Sequence, residues 1–283
     1  MCIDLIAFDL DGTTLNSNLE ISERNRSALQ IAFKQGIKLV PCTGRAIYEL
    51  PKGLSPFIDE FGFSVFPYII TENGARVYNL PQKELLYSKS IPKETALAVL
   101  REGRKQLAMT YMSFGIKGAM DNLGIVWETE ETRQFIRGWE EKWVIPSANL
   151  EELIEWYGEI AKTTMNFVTS DDYEKCIKTF SAWPGLALSS SQEKSLEIMA
   201  NGVNKGEAVV FISRHSGIPM ERVMAIGDNL NDLEMILKAG FGVAMGNAIP
   251  ELKEKANWVT ASNDDDGLAM AIEKVLEECK AEK

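Results

Sequence analysis

Short apolar runs recur in the first and last thirds of the chain, each followed by a turn and then a longer stretch whose apolar positions repeat at helical spacing. Residues 5–8, 37–40, 223–226 and 242–244 have strand length and lack the polar alternation of a half-exposed strand. Uninterrupted apolar strands alternating with amphipathic helices predict a parallel sheet with helices on both faces. Ser22, ahead of the acid-led residues 23–35, is a helix N-cap in type and position. Gly36 stops that helix, and Asp264 to Asp266 lead a second amphipathic stretch over 268–280.

The middle of the chain follows a different pattern. Residues 77–78 and 85–87 pattern as a hairpin, residues 93–106, 130–142 and 171–182 as helices, and strands are expected near Met109 and Met165. This predicts an α+β insert over about 81–189, flanked by halves of one α/β unit at 1–80 and 190–283.

With 283 residues, 45% hydrophobic and 25% charged, the chain suits a two-domain globular protein. Its net charge of −11 opposes nucleic acid and anionic membrane surfaces. No basic leader precedes the first apolar run, which Asp9 ends after a few residues, so a cytoplasmic location is expected. Cys2, Cys42, Cys176 and Cys279 show no CxxC spacing and are expected to be reduced thiols. The sequon at Asn25 is therefore expected to go unused.

Four segments carry candidate chemistry. In Asp9-Leu10-Asp11-Gly12-Thr13 a strand runs into two carboxylates spaced i, i+2, which on extended backbone point the same way. Asp and Gly are also ordinary turn residues, so the segment alone decides nothing. Thr43-Gly44-Arg45 ends the second apolar run, where a hydroxyl and successive N–H groups can hold an anion. Asn204 can cap the helix after it, and Lys205 then lies in a first turn where the helix dipole disfavours a cation. A ligand would explain that placement, and so would a solvated surface lysine. Gly227-Asp228-Asn229-Leu230-Asn231-Asp232 ends another strand in two carboxylates and two amides, oxygen donors that suit a hard cation such as Mg²⁺.

In this order and placement the four segments resemble the motifs of the haloacid dehalogenase (HAD) superfamily. Residues 70–75 (Ile-Thr-Glu-Asn-Gly-Ala) and 197–199 (Glu-Ile-Met) extend the resemblance to its Cof-like branch with a type II α/β cap. The resemblance implies a Rossmann-like parallel-sheet core with an inserted cap, and a Mg²⁺-dependent phosphatase acting on a small phosphorylated metabolite, a sugar or cofactor phosphate. By it, Asp9 is the nucleophile that becomes an aspartyl-phosphate and Asp11 the general acid and base. The metal would be held by Asp9, Asp228 and the main-chain carbonyl of Asp11. The phosphate would meet Leu10, Thr43, Gly44, Lys205 and Asn231, with Asp232, Arg45 and Asn73 in support. A phosphomutase on the same core and a non-catalytic sensor of a phosphorylated metabolite are the alternatives. Which metabolite, and the oligomeric state, are not legible.

Weaker signals point away from other chemistries. His215 is the lone histidine and is expected at a helix end on the surface, so a Ser/His or Cys/His site is disfavoured. Cys42 reads as a strand core thiol. Residues 240–246 have GxGxxxG spacing and do not follow the first strand, so they are not a dinucleotide loop. Trp127, Trp139, Trp143, Trp156 and Trp183 fall in the insert, as cap packing or as a wall for a ring-bearing substrate.

Overall fold

The computed structural model describes residues 2–47, 50, 54, 65–106, 109–114, 124–127, 144–146, 150–190 and 193–281. A five-stranded parallel sheet in the order β14-β13-β12-β1-β2 forms the core, from β1 (Leu5–Phe8), β2 (Lys38–Pro41), β12 (Val223–Gly227), β13 (Phe241–Ala244) and β14 (Trp258–Val259). All four side chains of β1, an interior strand between β12 and β2, are wholly buried. Each contributes roughly 1.5–3 kcal/mol if large and apolar, which is why this run carries no polar alternation. Helix α1 (Glu23–Lys34) begins where Ser22 accepts from the Asn25 N–H and ends ahead of Gly36, whose φ of 84° suits glycine.

A three-stranded antiparallel sheet, β3 (Tyr68–Thr71), β4 (Arg76–Asn79) and β5 (Glu84–Ser88), follows β2 and touches it through the bridge between Cys42 and Ile70. The cap is built on a six-stranded sheet in the order β10-β11-β9-β6-β7-β8, from β6 (Met109–Phe114), β7 (Gly124–Trp127), β8 (Val144–Pro146), β9 (Ile160–Asn166), β10 (Leu186–Ser189) and β11 (Ser195–Ala200). Its helices are α2 (Lys93–Lys105), α3 (Leu150–Tyr157) and α4 (Ser170–Ser181). The cap has its own apolar cluster, including Leu97, Leu100, Met165 and Phe180, separate from that of the parallel sheet.

The strands nearest the expected limits of the insert lie on the opposite sides from those expected. β5, beyond residue 81, pairs with β4 outside the cap sheet, and β11, beyond residue 190, pairs with β10 and β9 inside it. A tight turn at 81–83 resembles a boundary in sequence but only closes a hairpin. The helix expected over 130–142 lies outside the described residues.

Helices α5 (Lys205–Ser216), α6 (Leu233–Lys238), α7 (Pro250–Lys255) and α8 (Gly267–Ala281) complete the chain. α8 packs along α1, and near its end Cys279 meets Cys2, ahead of β1. The expectation of four reduced thiols is corrected there: Cys2 and Cys279 are joined, with Sγ–Sγ 2.11 Å and Cα–Cα 4.8 Å. Two residues 277 apart meet through packing that no spacing rule anticipates. Cys42 and Cys176 are free and buried, as core thiols.

Asn25 is also buried, its carbonyl accepting from the Ala269 N–H. Trp183 packs edge-on against Phe180 in the cap core, whereas Trp156 is 77% exposed. Trp139, Trp143 and the Trp127 side chain lie outside the described residues. Among the described residues, no helix is long and apolar enough to cross a membrane.

Candidate active site

Three adjacent strands of the parallel sheet, β12, β1 and β2, end at one edge, and the residues after them form the site. The register aligns Phe8 with Ile226 on one side and Pro41 on the other, so Asp9, Asp228 and Thr43 emerge together. This is where open α/β sheets place their ligands. Asp9 is fixed through its backbone: its N–H donates to Ile226 O (3.0 Å) and its carbonyl accepts from the Thr14 hydroxyl (2.6 Å). Gly12 has φ 77°, and a Cβ there would lie 2.5 Å from Asp228 Oδ2, so both turn geometry and space require glycine.

Lys205 is the first residue of α5, which Asn204 caps by accepting from the Glu207 N–H. The alternative of a solvated surface lysine is excluded, because Lys205 is wholly buried. Its ammonium donates to Asp9 Oδ1 and to Asp232 Oδ1, each at 2.6 Å. Asp232 uses its other oxygen to accept from the N–H groups of Asp228 (2.9 Å) and Asn229 (3.1 Å). It thus braces both Lys205 and the turn that presents Asp228. Gly227 is needed beneath it, since a Cβ would lie 2.4 Å from Asp232 Cβ.

Asp9, Asp228 and Asp232 bring one carboxylate oxygen each within 4.8 Å of one another. Burial raises the Asp9 pKa well above the usual carboxylate range, against the Lys205 charge, with Asp232 and Asp228 adding to the rise. Burial, with the charge of Asp232, pushes Asp228 up to about 7 despite Lys205. Lys205 is itself held above its ordinary value, because the two carboxylates outweigh its desolvation. The cluster carries more negative charge than one ammonium offsets. Hard oxygen donors short of positive charge fit a divalent cation such as Mg²⁺.

Asp11 stands apart from this trio. Its carboxylate is gripped by Arg45 in a two-pronged pair, Nε to Oδ2 at 2.7 Å and Nη2 to Oδ1 at 2.6 Å, and is 44% exposed. The Arg45 N–H donates to the Thr43 hydroxyl (3.0 Å). The Leu10 carbonyl accepts from the N–H groups of Thr14 and Leu15, closing the turn after Asp9.

Asn231 donates from Nδ2 to Asn73 Oδ1 (3.1 Å), and Asn73 donates from Nδ2 to Glu197 Oε2 (2.8 Å). Glu197, on β11, also accepts from the buried Lys162 of β9 (2.7 Å), which reaches across to the Gly44 carbonyl (2.6 Å). Burial alone would raise the Glu197 pKa; the Lys162 charge and the bonds from Lys162 and Asn73 hold it below the usual range.

The structure therefore gathers Asp9, Asp228, Asp232 and Lys205 in one cluster and links Thr43, Gly44, Arg45, Asp11, Asn73 and Asn231 around it. Sequence reasoning missed Thr13, whose hydroxyl donates to Asp228 Oδ1 (3.2 Å), and Asn247, which donates to the Gly12 carbonyl (2.8 Å). It also missed Lys162 and gave Glu197 no role. A lysine within a strand of small, hydroxylated and apolar residues (Ala161, Thr163, Thr164, Met165) was the signal available. His215 is exposed at the end of α5, against Phe211 and Tyr68, as expected.

A family model described as haloacid dehalogenase-like hydrolase matches residues 6–272. Putative phosphatase YxeH of Bacillus subtilis is 32% identical, the alignment covering 96% of this chain and 98% of that one. The 5-amino-6-(5-phospho-D-ribitylamino)uracil phosphatase YcsE of the same organism is 29% identical over 95% and 94%. Among solved structures, the HAD subclass IIB sugar phosphatase BT4131 superposes with a TM-score of 0.80 at 26% identity, covering 96% of this chain and 98% of that one.

Proposed function

The chain belongs to the haloacid dehalogenase-like hydrolases, as a phosphatase of their Cof-like branch, and from that premise we propose that it hydrolyses the phosphate monoester of a sugar or cofactor, with Mg²⁺ and through an aspartyl-phosphate. The observation that carries this reading is the Asp9 carboxylate, buried at the end of the interior strand β1 and hydrogen-bonded to Lys205 at 2.6 Å. Relatives named for a ribityl-phosphate and for a sugar phosphate support the substrate class.

Bringing a phosphate dianion to this cluster costs about 4 kcal/mol for each pair of unit charges 4 Å apart at an effective dielectric near 20. Lys205 lowers that repulsion at Asp9. Mg²⁺, held by Asp9, Asp228 and the Asp11 carbonyl, would supply the remaining charge neutralisation when bound. Asp9 attacks phosphorus; the new O–P bond forms as the ester O–P bond breaks, and Asp11 gives its proton to the leaving alkoxide. Asp11 then takes a proton from the water that attacks the aspartyl-phosphate, releasing inorganic phosphate and restoring Asp9. Thr43, Gly44 and Asn231 bind the transferring oxygens, and the cap supplies discrimination among leaving groups while excluding water.

Phosphate release from p-nitrophenyl phosphate, with Mg²⁺ and after chelation, tests the reading. Mg²⁺-dependent release that Asp9→Asn abolishes is expected. Isomerised ester without free phosphate points to a mutase, and binding without turnover to a sensor. A panel of phosphorylated metabolites ranked by kcat/KM then identifies the substrate.

A further inference from the structure

Four polar side chains form one line from the cap to the phosphate end of the site. Lys162 Nζ donates to Glu197 Oε1, Asn73 Nδ2 donates to Glu197 Oε2, and Asn231 Nδ2 donates to Asn73 Oδ1. Lys162 and Glu197 are cap residues, buried to 6% and 4% side-chain exposure. Asn73 and Asn231 belong to the loops after β3 and β12. Lys162 also donates to the Gly44 carbonyl, on the loop that carries Thr43.

Local geometry is bent to make this line. Glu72 and Asn73 both take left-handed backbone, at φ 50° and 56°, although neither is glycine. Their N–H groups donate to Arg45 O and Thr43 O, tying the turn to the same loop. At Gly44 a Cβ would lie 3.0 Å from Asn73 Oδ1 and 3.4 Å from Glu197 Oε1, so the network occupies the space a side chain would need.

The line also has a polarity. An ammonium only donates and a carboxylate only accepts, whereas either amide could be turned over. Glu197 therefore forces Asn73 to present nitrogen to it and oxygen to Asn231, and Asn231 in turn presents nitrogen to Asn73. The orientation of the Asn231 carboxamide is set by a charge in the cap.

We propose that Lys162 and Glu197 are positioning residues for phosphate-ester hydrolysis: with the cap seated, they hold the Thr43–Gly44 loop and fix the carboxamide of Asn231 toward the phosphate, so the phosphate site is complete only when the cap is closed. This rests on the phosphatase reading above. It assigns the cap a part in binding the phosphate itself, in addition to any contact with the leaving group.

Glu197→Gln is the discriminating variant because it is isosteric. Its Nε2, facing Asn73, opposes donor to donor, which turns Asn73 over and then Asn231, so that Asn231 Oδ1 takes the place of Nδ2 beside Asn73 and the second hydrogen of that nitrogen is no longer there for a phosphate oxygen. The expected result is a kcat lower by roughly 10–100-fold, as for a misplaced positioning group. The loss should be equal for p-nitrophenyl phosphate and for an alkyl phosphate such as glycerol phosphate; the melting temperature should fall, because the buried Lys162 ammonium loses its counter-charge, so the kinetics are read on the folded fraction well below the melting transition.

Binding of inorganic phosphate to the Mg²⁺-loaded protein, followed by calorimetry, should weaken by about tenfold, the cost of one lost charge-assisted contact. This readout does not depend on turnover. A wild type that binds phosphate but hydrolyses no ester overturns the phosphatase reading, while the change in binding still judges the relay. Lys162→Met should lower kcat in the same way, and Lys162→Met/Glu197→Gln should be no worse than the worse single variant. Wild-type kcat and phosphate affinity in folded Glu197→Gln overturn the proposal, whether or not Lys162→Met folds. So does a loss confined to one of the two esters, which would make these residues leaving-group contacts.

Discussion

Among the described residues two lysines are buried, one in the core and one in the cap, and they are held in different ways. Lys205 starts a helix and meets Asp9 and Asp232, carboxylates from loops that follow neighbouring parallel strands. Lys162 lies within an antiparallel strand and meets Glu197 on the adjacent strand and a carbonyl of the core. Around Lys205 the negative charge exceeds the positive, and the carboxylates hold their protons more tightly than usual. Around Glu197 the balance is reversed, and the carboxylate releases its proton more readily. A cluster left short of positive charge has donors to spare for a cation; a balanced pair has its charges satisfied where they stand.

The largest expected effect is on the core. Asp9→Asn should lower kcat by roughly 10³-fold or more, as loss of a nucleophile does. The melting temperature should hold or rise, because a buried carboxylate that resists ionisation is removed. Phosphate release and thermal melts measure both, and activity within about tenfold of wild type would falsify the nucleophile assignment. Asp11→Asn should slow an alkyl phosphate by roughly 10²-fold and p-nitrophenyl phosphate by less, since the second leaving group needs little protonation. Equal slowing of both esters would remove Asp11 from the acid role.

The opposite charge balances also predict opposite pH dependences. Asp228, ordinarily near 3.8, is raised to about 7 in the fold, and Asp9 is raised as well. The stability these groups contribute is present below about pH 4 and lost as the pH rises through 7. Glu197, ordinarily near 4.5, is lowered; its contribution is present above that value and lost as the pH falls through its folded value. Melting scans of chelated protein should therefore show Tm falling between about pH 5 and 8, at ~2–4 °C per kcal/mol. Mg²⁺ should remove that slope. Asp228→Asn should reduce it and Glu197→Gln should leave it in place. A slope unchanged by Asp228→Asn would detach it from the core cluster.

The smallest effects come from two glycines in tight places. At Gly227 an added Cβ meets the Cβ and Cγ of Asp232 at 2.4 Å, so Gly227→Ala must displace the brace of Lys205. Overpacking of this kind costs about 1–3 kcal/mol, and activity should fall with it. At Gly103, on α2, the added Cβ meets Met165 Cε at 2.4 Å, the far end of a flexible side chain. Alanine there gains about 0.8–1 kcal/mol of helix propensity against a modest repacking cost, so denaturation midpoints should move little. A Gly103→Ala protein damaged as much as Gly227→Ala would show the cap core to be as rigid as the site.

The sequence determined the core in detail. Buried parallel strands must be apolar throughout and must end in turns, so residues 5–8 and 223–226 were legible as strands, and Asp9, Asp228 and Asp232 as their chemically loaded ends. Helix starts at Ser22 and Asn204 were legible for the same reason: caps and turns are local, and a few residues satisfy them. Tertiary structure alone decided which charges meet. Nothing in the sequence around Lys205 distinguishes a buried ammonium between two carboxylates from a solvated one, and nothing near Lys162 announces a partner 35 residues on or a carbonyl at Gly44. The cysteine pair closes over 277 residues, and β11 joined the cap sheet although its apolar run would equally suit the core. Local patterns fix backbone conformation because backbone hydrogen bonds and capping act over a few residues. Pairing between distant side chains depends on the packing of whole elements, which no short segment contains.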